Sequence, residues 1–480
     1  MSVPSWYEVL FAAYAVFVVG AITTILLQRR SPTATLSWIF AFIALPFISG
    51  LYYLVFGPRR LLRRRRRYGL ARRSLAGKVT DYIRSSCCQT KPRLSQDADG
   101  LARVVARLGQ GEPTFASGVK LLDRGDVYID SLVRAINVAK HHVHCEYYIW
   151  EADRVGAYVR DALVEARARG IEVRILVDGV GSRSADREFW KPLTSIGGEV
   201  LHFNRLRFSF ASLNFANFRT HRKIVVCDGA VGYVGGQNLH DPVSAVHSGK
   251  GAWHDMQARI DGEPVRRLQR LFLENWTYSG GIFKMDLEDV KHYFPPANEG
   301  RGLAVQVLAS GPDDERASLH AFLLAAISTA RYRVWITTPY FIPDEPLEAM
   351  LKIAVLRGVD VKVIVPLEGD SKVVTFASRT YCEALGAAGI HVFEYGPPML
   401  HSKTMVVDQT MGMVGTNNLD NRSFRLNFEV AAAFYDHEVI EQLASHFVGA
   451  MAQARPFRKR RGARVAAFLE SVARLSSPVL

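Results

Sequence analysis

Two short runs of the chain carry the same reactive side chains at the same spacing. The first is His221-Arg222-Lys223, with Asp228 five residues after the lysine, then Gly235, and Asn238 three residues further on. The second is His401-Ser402-Lys403, followed at the same intervals by Asp408, Gly415 and Asn418. These are the groups that phosphodiester chemistry needs. An imidazole attacks phosphorus and forms a covalent intermediate. Lysine and carboxamide donors stabilise charge on the non-bridging oxygens. A second imidazole protonates the leaving alkoxide and then takes the proton of the incoming alcohol. One run supplies one imidazole, and two runs facing each other supply both roles.

The spacing also predicts how these groups are held. In a strand, residues i and i+2 share a face, which places His221 with Lys223 and His401 with Lys403. Ile224 to Cys227 and Thr404 to Val407 are apolar and continue as buried strand. The glycine-containing turn beyond each strand lets backbone come close to a ligand, where Asn238 and Asn418 donate to the same anion.

The two runs sit inside a longer duplication. Gly170 to Asp178 in one copy and Gly358 to Pro366 in the other are alternating, β-branched segments of strand type. Each follows an alanine-rich helical stretch, Gly156 to Arg169 and Pro346 to Arg357, and each copy has an earlier aromatic strand end, Tyr147 to Trp150 and Tyr340 to Pro343. Strands alternating with helices predict an α/β sandwich in each copy. Phe203 to Thr220 is longer than its counterpart Phe393 to Leu400. It holds Phe208, Phe210, Phe215 and Phe218 with Arg205, Arg207 and Arg219. It is expected to be an inserted loop near the site, either touching lipid or packed on the surface.

The 480 residues, 49% of them hydrophobic, allow two or three units of ordinary domain size and a membrane segment as well. Val9 to Leu27 and Ala34 to Gly57 contain no charged residue. Each is long enough to cross a hydrocarbon core of about 30 Å. The short polar break from Gln28 to Thr33 makes them a helical hairpin. Met1 to Glu8 has neither lysine nor arginine, and a second apolar stretch follows at once, which argues against a cleaved signal peptide. Arg59, Arg60, Arg63 to Arg67, Arg72 and Arg73 follow the second stretch, against only Arg29 and Arg30 in the break. That bias predicts that both the N-terminus and the large C-terminal part face the cytoplasm. The net charge of +14 suits nucleic acid or an anionic membrane face. The position of the arginines favours the membrane. Cys87, Cys88, Cys145, Cys227 and Cys382 are odd in number and form no CxxC pair, which reads as a reduced, cytosol-facing protein rather than a disulfide framework.

The paired runs resemble the HKD signature of the phospholipase D superfamily, and the resemblance covers nearly the whole chain. An isolated His-x-Lys-x4-Asp is a weak pattern. Two copies with matched glycine and asparagine, inside matched repeats, are not chance. Arg29 to Trp38, Leu45-Pro46 and Tyr53 to Gly57 are similar to the hairpin of bacterial cardiolipin synthases, and Ala473 to Leu480 to their tail. Copy two has Gly415-Thr416 where many members have Gly-Ser; threonine keeps the hydroxyl. The resemblance implies an α/β fold with two phospholipase D-like sandwich domains in pseudo-twofold arrangement, one shared active site, no metal and no other cofactor. It implies His221, Lys223, Asp228, His401, Lys403 and Asp408 as catalytic residues and Asn238 and Asn418 as phosphate-binding. It also implies that Asp255 and Glu429 orient the imidazoles from behind, a carboxylate fixing the ring tautomer. The resulting division is a transmembrane hairpin over 1–57 (spans about 9–27 and 34–57), a basic juxtamembrane segment over 58–115, and domains over 116–295 and 296–480.

The family implies phosphatidyl transfer between two phosphatidylglycerol molecules at a bacterial inner membrane, giving cardiolipin and glycerol through a phosphatidyl-histidine. HKD chemistry also serves phospholipase D hydrolases, other phosphatidyltransferases such as phosphatidylserine synthases, and nucleic-acid phosphodiesterases. The hairpin and tail favour the first and weigh against nucleic acid. Two intact motifs weigh against an inactive scaffold. Oligomeric state stays open. His141, His142, His144 and Cys145 invite a zinc reading, but the matching stretch Arg331 to Trp335 has no ligands, so a polar strand start is the better reading. The tail from Arg458 is expected either to lie on a membrane or to pack on the second domain.

Overall fold

The computed structural model describes residues 6–27, 32–45, 48–50, 68–70, 90–205, 218–282, 287–296, 302–459, 464–475 and 477. The chain forms two compact units, residues 1–64 with 207–215, and residues 65–206 with 216–480.

In the first unit, Trp6–Leu27 is a 22-residue helix, long and apolar enough to cross a bilayer. Its Phe11, Val16 and Val19 side chains are exposed. A second helix, Pro32–Ala44, packs beside it. Ala21, Ile25 and Phe42 bury one another, and the Tyr14 hydroxyl donates to the Phe42 carbonyl at 3.3 Å. Among the described residues only the first helix has spanning length. Most of the remainder of the expected second span and the arginine run lie outside the described residues, as do Cys87, Cys88 and most of the inserted loop.

The second unit is built on one fifteen-stranded sheet. Its first seven strands are β1 (Thr114–Leu122), β2 (His142–Tyr147), β3 (Glu172–Asp178), β4 (Glu199–Phe203), β5 (Ile224–Cys227), β6 (Val231–Gly235) and β7 (Gln257–Gly262). The next seven are β8 (Leu303–Ser310), β9 (Arg333–Thr337), β10 (Asp360–Pro366), β11 (His391–Tyr395), β12 (Thr404–Val407), β13 (Met411–Gly415) and β14 (Glu429–Phe434). The spatial order from one edge is β4-β3-β2-β5-β6-β7-β1, then β8-β14-β13-β12-β9-β10-β11, with the short β15 (Ala454–Pro456) closing the far edge. Each strand of the first half therefore has a counterpart seven strands later, in mirrored order. The halves join through the antiparallel pair β1–β8. This is the pseudo-twofold α/β duplication expected from the sequence.

The strand sequences explain the layers. β2, β3 and β4 run parallel, as do β9, β10 and β11. Parallel strands covered on both faces read as near-continuous apolar runs, and Val173, Ile175, Leu176 and Val177 of β3 are all buried. Helices Gly125–Val138 and Arg154–Ala168 cover one face, and Val265–Tyr278 covers the other. The helices expected from Gly156 and Pro346 begin at Arg154 and Glu345 because aspartates cap them. Asp153 accepts from the Gly156 amide at 2.9 Å and Asp344 from the Leu347 amide at 3.3 Å, each cap contributing about 1 kcal/mol.

Cys145, Cys227 and Cys382 are buried free thiols. His142 and His144 are buried in β2 rather than at a polar strand start. Gln269 bridges them, and Glu172 accepts from the outer ring nitrogen of His144 at 2.9 Å. The tail helix Arg464–Arg474 packs on helix Lys372–Ala387: Glu470 pairs with Arg379 at 3.4 Å and the Tyr381 hydroxyl donates to Ser477 at 3.1 Å. Phe468 and Leu475 of that tail stay exposed.

Candidate active site

The two histidines stand just ahead of β5 and β12, in extended backbone rather than in the strands themselves. What fixes them is pairing across the halves. The His221 amide donates to the Phe428 carbonyl at 3.0 Å, and the His401 amide donates to the His254 carbonyl at 2.7 Å. Isolated bridges Thr220–Phe428 and His254–Leu400 extend the same contacts. Each motif is thus held by the segment leading into the last strand of the opposite half.

The side chains follow the backbone. His221 Nδ1 lies 3.0 Å from Glu429 Oε2, and His401 Nδ1 lies 2.6 Å from Asp255 Oδ2. Both carboxylates are buried. With Nδ1 engaged, Nε2 is the nitrogen left for phosphorus or for proton transfer. Glu429 is further clamped by the Thr416 and Ser423 hydroxyls, at 2.5 Å and 3.0 Å. Asp255 accepts instead from its neighbour's amide, Met256, at 2.7 Å. Gly236 is the counterpart of Thr416, and a Cβ there would come within 2.1 Å of Asp255 Oδ1. The close backbone approach that the glycine turn permits is therefore to the orienting carboxylate.

Lys223 and Lys403 are fully buried beside the histidines. Lys223 Nζ donates to the His221 carbonyl at 2.8 Å, and Lys403 Nζ donates to the His401 carbonyl. Burial, and then the charge of Lys403, lower the Lys223 ammonium to about 7. Burial lowers Lys403 to about 8 against the pull of Asp255 and Glu429. The charge of Lys403, in the second half, thus acts on Lys223 in the first. Burial and Lys403 together lower His401 to about 4. Burial also lowers His221, against the opposing pull of Glu429. For Asp255, burial acts to raise the carboxyl, but Lys403 and His401 outweigh it and hold it below the usual range. Glu429 behaves likewise, with His221 the main opposing charge. Burial and the neighbouring charges thus couple the two imidazoles, the two carboxylates and the two lysines to one another.

Asn238 and Asn418 are buried, and the Oδ1 atom of each has no partner among the described residues; neither carboxamide atom of Asn417 has one. Buried carboxamides left open in this way suit a polar ligand. Sequence reasoning missed Asn417. It also missed two aromatic walls. Tyr148 meets the His221 ring edge-to-face at 5.0 Å, with Lys223 Nζ 5.4 Å above its own ring. Trp253 lies 5.3 Å from the His401 ring. Tyr148 belongs to the aromatic strand end and Trp253 precedes Asp255 by two residues, so both signals were present but not specific. Asp178, at the end of β3, was also missed. It accepts from the Thr220 amide at 3.1 Å and from Arg219 at 3.2 Å, and so fixes the approach to His221.

Asp228 and Asp408 lie apart from the other motif residues. Strands β5 and β12 separate them from the lysines by about 16 Å at 3.3 Å per residue. Asp228 accepts from the amides of Lys140, His141 and His142, and Asp408 from those of Arg331, Tyr332 and Arg333. Both sit at positive φ, 54° and 49°. They staple the turn after each strand to the start of β2 or β9 and touch none of the reactive groups. Among the described residues, no group of three or more His, Cys, Asp or Glu side chains is placed to hold a metal ion.

A duplicated α/β sheet whose halves cross to hold each other's histidine is the architecture of a phospholipase D-like enzyme. The family model described as cardiolipin synthase, PLD-like domain, matches residues 132–248 and 323–451. Cardiolipin synthase 1 of Bacillus cereus is 34% identical over 492 residues, covering 99% of this chain and 95% of that protein. The cardiolipin synthase of Geobacillus thermodenitrificans is 35% identical over 486 residues, covering 99% and 94%. Among solved structures, the phosphatidylserine synthase of Haemophilus influenzae superposes with a TM-score of 0.62 at 15% identity, covering 79% of this chain and all of that one, and shares the fold. The chain belongs to the cardiolipin synthase family.

Proposed function

We propose that the protein joins two phosphatidylglycerol molecules into cardiolipin, releasing glycerol. The observation that carries the reading is the pair of imidazoles, each held through Nδ1 by a buried carboxylate beside a buried lysine. His221 Nε2 attacks the phosphorus of the first lipid. The bond from phosphorus to the head-group glycerol oxygen breaks, and that oxygen takes a proton from His401. A glycerol hydroxyl of the second lipid then gives its proton to His401, its oxygen attacks phosphorus, and the phosphorus–nitrogen bond breaks. Lys223, Lys403, Asn238 and Asn418 hold the non-bridging oxygens throughout. In this reading no step requires a metal.

The apolar N-terminal segment anchors the enzyme as a two-span hairpin in the bacterial inner membrane, with the catalytic unit on the cytoplasmic side. The arginine run from Arg59 supports that orientation and attraction to anionic lipid. A reporter fused after Leu480 is expected to be cytoplasmic, and external activity of the fusion would overturn the topology. The function is tested by incubating purified enzyme with labelled phosphatidylglycerol in detergent micelles. Cardiolipin and glycerol in equal amounts are expected. Phosphatidic acid as the sole lipid product would make the enzyme a hydrolase.

A further inference from the structure

The two halves differ where symmetry says they should agree. Tyr68, eleven residues after Gly57 in the sequence, is only 3% exposed. Its ring lies 5.1 Å from Phe428 and 5.4 Å from Tyr278, and its hydroxyl donates to Asn275 Oδ1 at 2.9 Å. Gly232 packs on Leu268 as Gly412 packs on Leu443, so helix Val265–Tyr278 corresponds to helix His437–Ala452 with its C-terminal neighbour Gln453. The bridges Thr220–Phe428 and His254–Leu400 equate Phe428 with His254. The three partners of Tyr68 thus correspond to Ala450, Gln453 and His254. Those three residues line a cavity of about 770 Å³. Among the described residues, one half has a socket filled by an aromatic side chain and the other has the same socket open.

The filled socket backs directly onto His221. Phe428, on which Tyr68 stacks, accepts the His221 amide through its carbonyl and immediately precedes Glu429, the partner of His221. Arg222 lies 5.5 Å over the Phe428 ring and donates to the Glu429 carbonyl at 3.2 Å. A second route is polar. Asn275, held by Tyr68, donates to Glu146, which also accepts from the hydroxyl of Thr220, the neighbour of His221. An apolar and a hydrogen-bonded path therefore run from one tyrosine to one histidine.

We propose that Tyr68 is a positioning residue for His221, docking the segment that follows the membrane anchor into the first half and holding the His221–Glu429 pair in its reactive geometry. Among the described residues the open counterpart gives His401 no such support, so Tyr68 distinguishes two otherwise equivalent histidines. The inference rests on the phosphatidyl-transfer reading, but its test does not depend on which alcohol accepts the phosphatidyl group.

Full-length enzyme and the variants Tyr68→Phe, Tyr68→Ala and Leu70→Ala are assayed in micelles for release of labelled head-group glycerol, with folded protein quantified separately. Leu70 is exposed in the same helical turn and its variant should match wild type. Misplacing a reacting group by about 1 Å costs about 100-fold in rate, so Tyr68→Ala should lose about that in kcat with KM unchanged. Tyr68→Phe keeps the ring and should recover to about a tenfold loss. In Tyr68→Ala the acid limb of kcat/KM should move up towards the ordinary imidazole value of about 6.5, because an opened socket hydrates His221. Wild-type kcat and pH profile in Tyr68→Ala, or a loss that follows only the amount of folded protein, would overturn the proposal. Should Tyr68→Ala fail to fold, an unchanged kcat in Tyr68→Phe would overturn it alone. Glycerol release with phosphatidic acid as the only lipid product would refute cardiolipin synthesis while leaving the ranking of the Tyr68 variants to be read.

Discussion

Glu429 reaches from the second repeat to His221 of the first, its Oε2 standing 3.0 Å from the imidazole Nδ1. Asp255 makes the reciprocal contact to His401 at 2.6 Å. Neither repeat therefore contains a complete histidine–carboxylate pair of its own. The backbone hydrogen bonds His221–Phe428 and His401–His254 follow the same crossing, so the chemistry depends on how the halves are joined as much as on either motif.

Glu429→Gln and Asp255→Asn keep shape and remove charge. An imidazole that has lost its carboxylate loses both the preferred tautomer and the stabilisation of its protonated form, a change that costs about 10²- to 10⁴-fold in kcat. Both variants should show such a loss with KM little altered. Combining Glu429→Gln with His221→Ala should cost no more than His221→Ala alone, because the two act as a unit. Steady-state kinetics on the single and double variants check this. Additive losses would separate Glu429 from His221.

Asp228→Asn and Asp408→Asn should behave differently. Each aspartate satisfies three backbone amides at the far end of its strand. Weakening that staple should cost about 1–3 kcal/mol of stability and leave kcat per folded molecule unchanged. Thermal unfolding together with active-site titration separates the two effects. A fully folded Asp228→Asn enzyme with lost turnover would return the residue to the chemistry.

The aspartates also show where sequence reading stops. Spacing located His221, Lys223, His401 and Lys403, and the duplication predicted the paired sheets, because periodicity and motif repetition are local properties. The same motif spacing picked out Asp228 and Asp408, which stand at the far end of a four-residue strand. Tyr148, Trp253 and Asn417 were not singled out, since their roles arise from contacts made in three dimensions and an aromatic near a strand end is usually core. The crossing of Glu429 to His221 was likewise invisible: it is set by the β1–β8 junction, on which no single residue type reports. The tail helix packs its Glu470 and Ser477 side on the second half and leaves Phe468 exposed, so neither of the two simple expectations alone describes it.

The lysines predict a pH dependence. Lys223 sits at about 7 and Lys403 at about 8 in the fold, against about 10.4 in an unfolded chain. Between those values the unfolded chain binds protons that the folded chain does not, so these two groups make stability rise with pH from about 7 to about 10. Below about 7 both states carry the protons and the full cost of burying the charges is felt. Lys223→Met should therefore raise the melting temperature at pH 7 and abolish turnover. A phosphate analogue should favour the charged lysines and take up protons on binding at pH 8, measured by calorimetry in buffers of different ionisation enthalpy. No proton uptake, with binding confirmed, would contradict the depressed lysines.

The last prediction assigns the histidines. His221 is taken as nucleophile and His401 as acid, then base. The neighbours of the two rings differ: Glu429 is fixed by Thr416 and Ser423 as well as by His221, whereas Asp255 is fixed by the Met256 amide and His401. A nucleophile that must hold its line of attack gains most from a rigid carboxylate, and a group that passes a proton back and forth tolerates a looser one. His401→Ala should retain reactivity towards a phosphodiester with a good leaving group, which needs no proton, and should accumulate a labelled adduct on the peptide containing His221. His221→Ala should form no adduct. Acid-labile label from a lipid substrate, trapped in each variant and mapped by peptide, is the measurement. Label on the peptide containing His401 in the His221→Ala variant would reverse the roles. No adduct in any variant, with wild-type turnover confirmed, would mean that the acceptor alcohol attacks phosphorus directly, leaving both histidines as proton carriers.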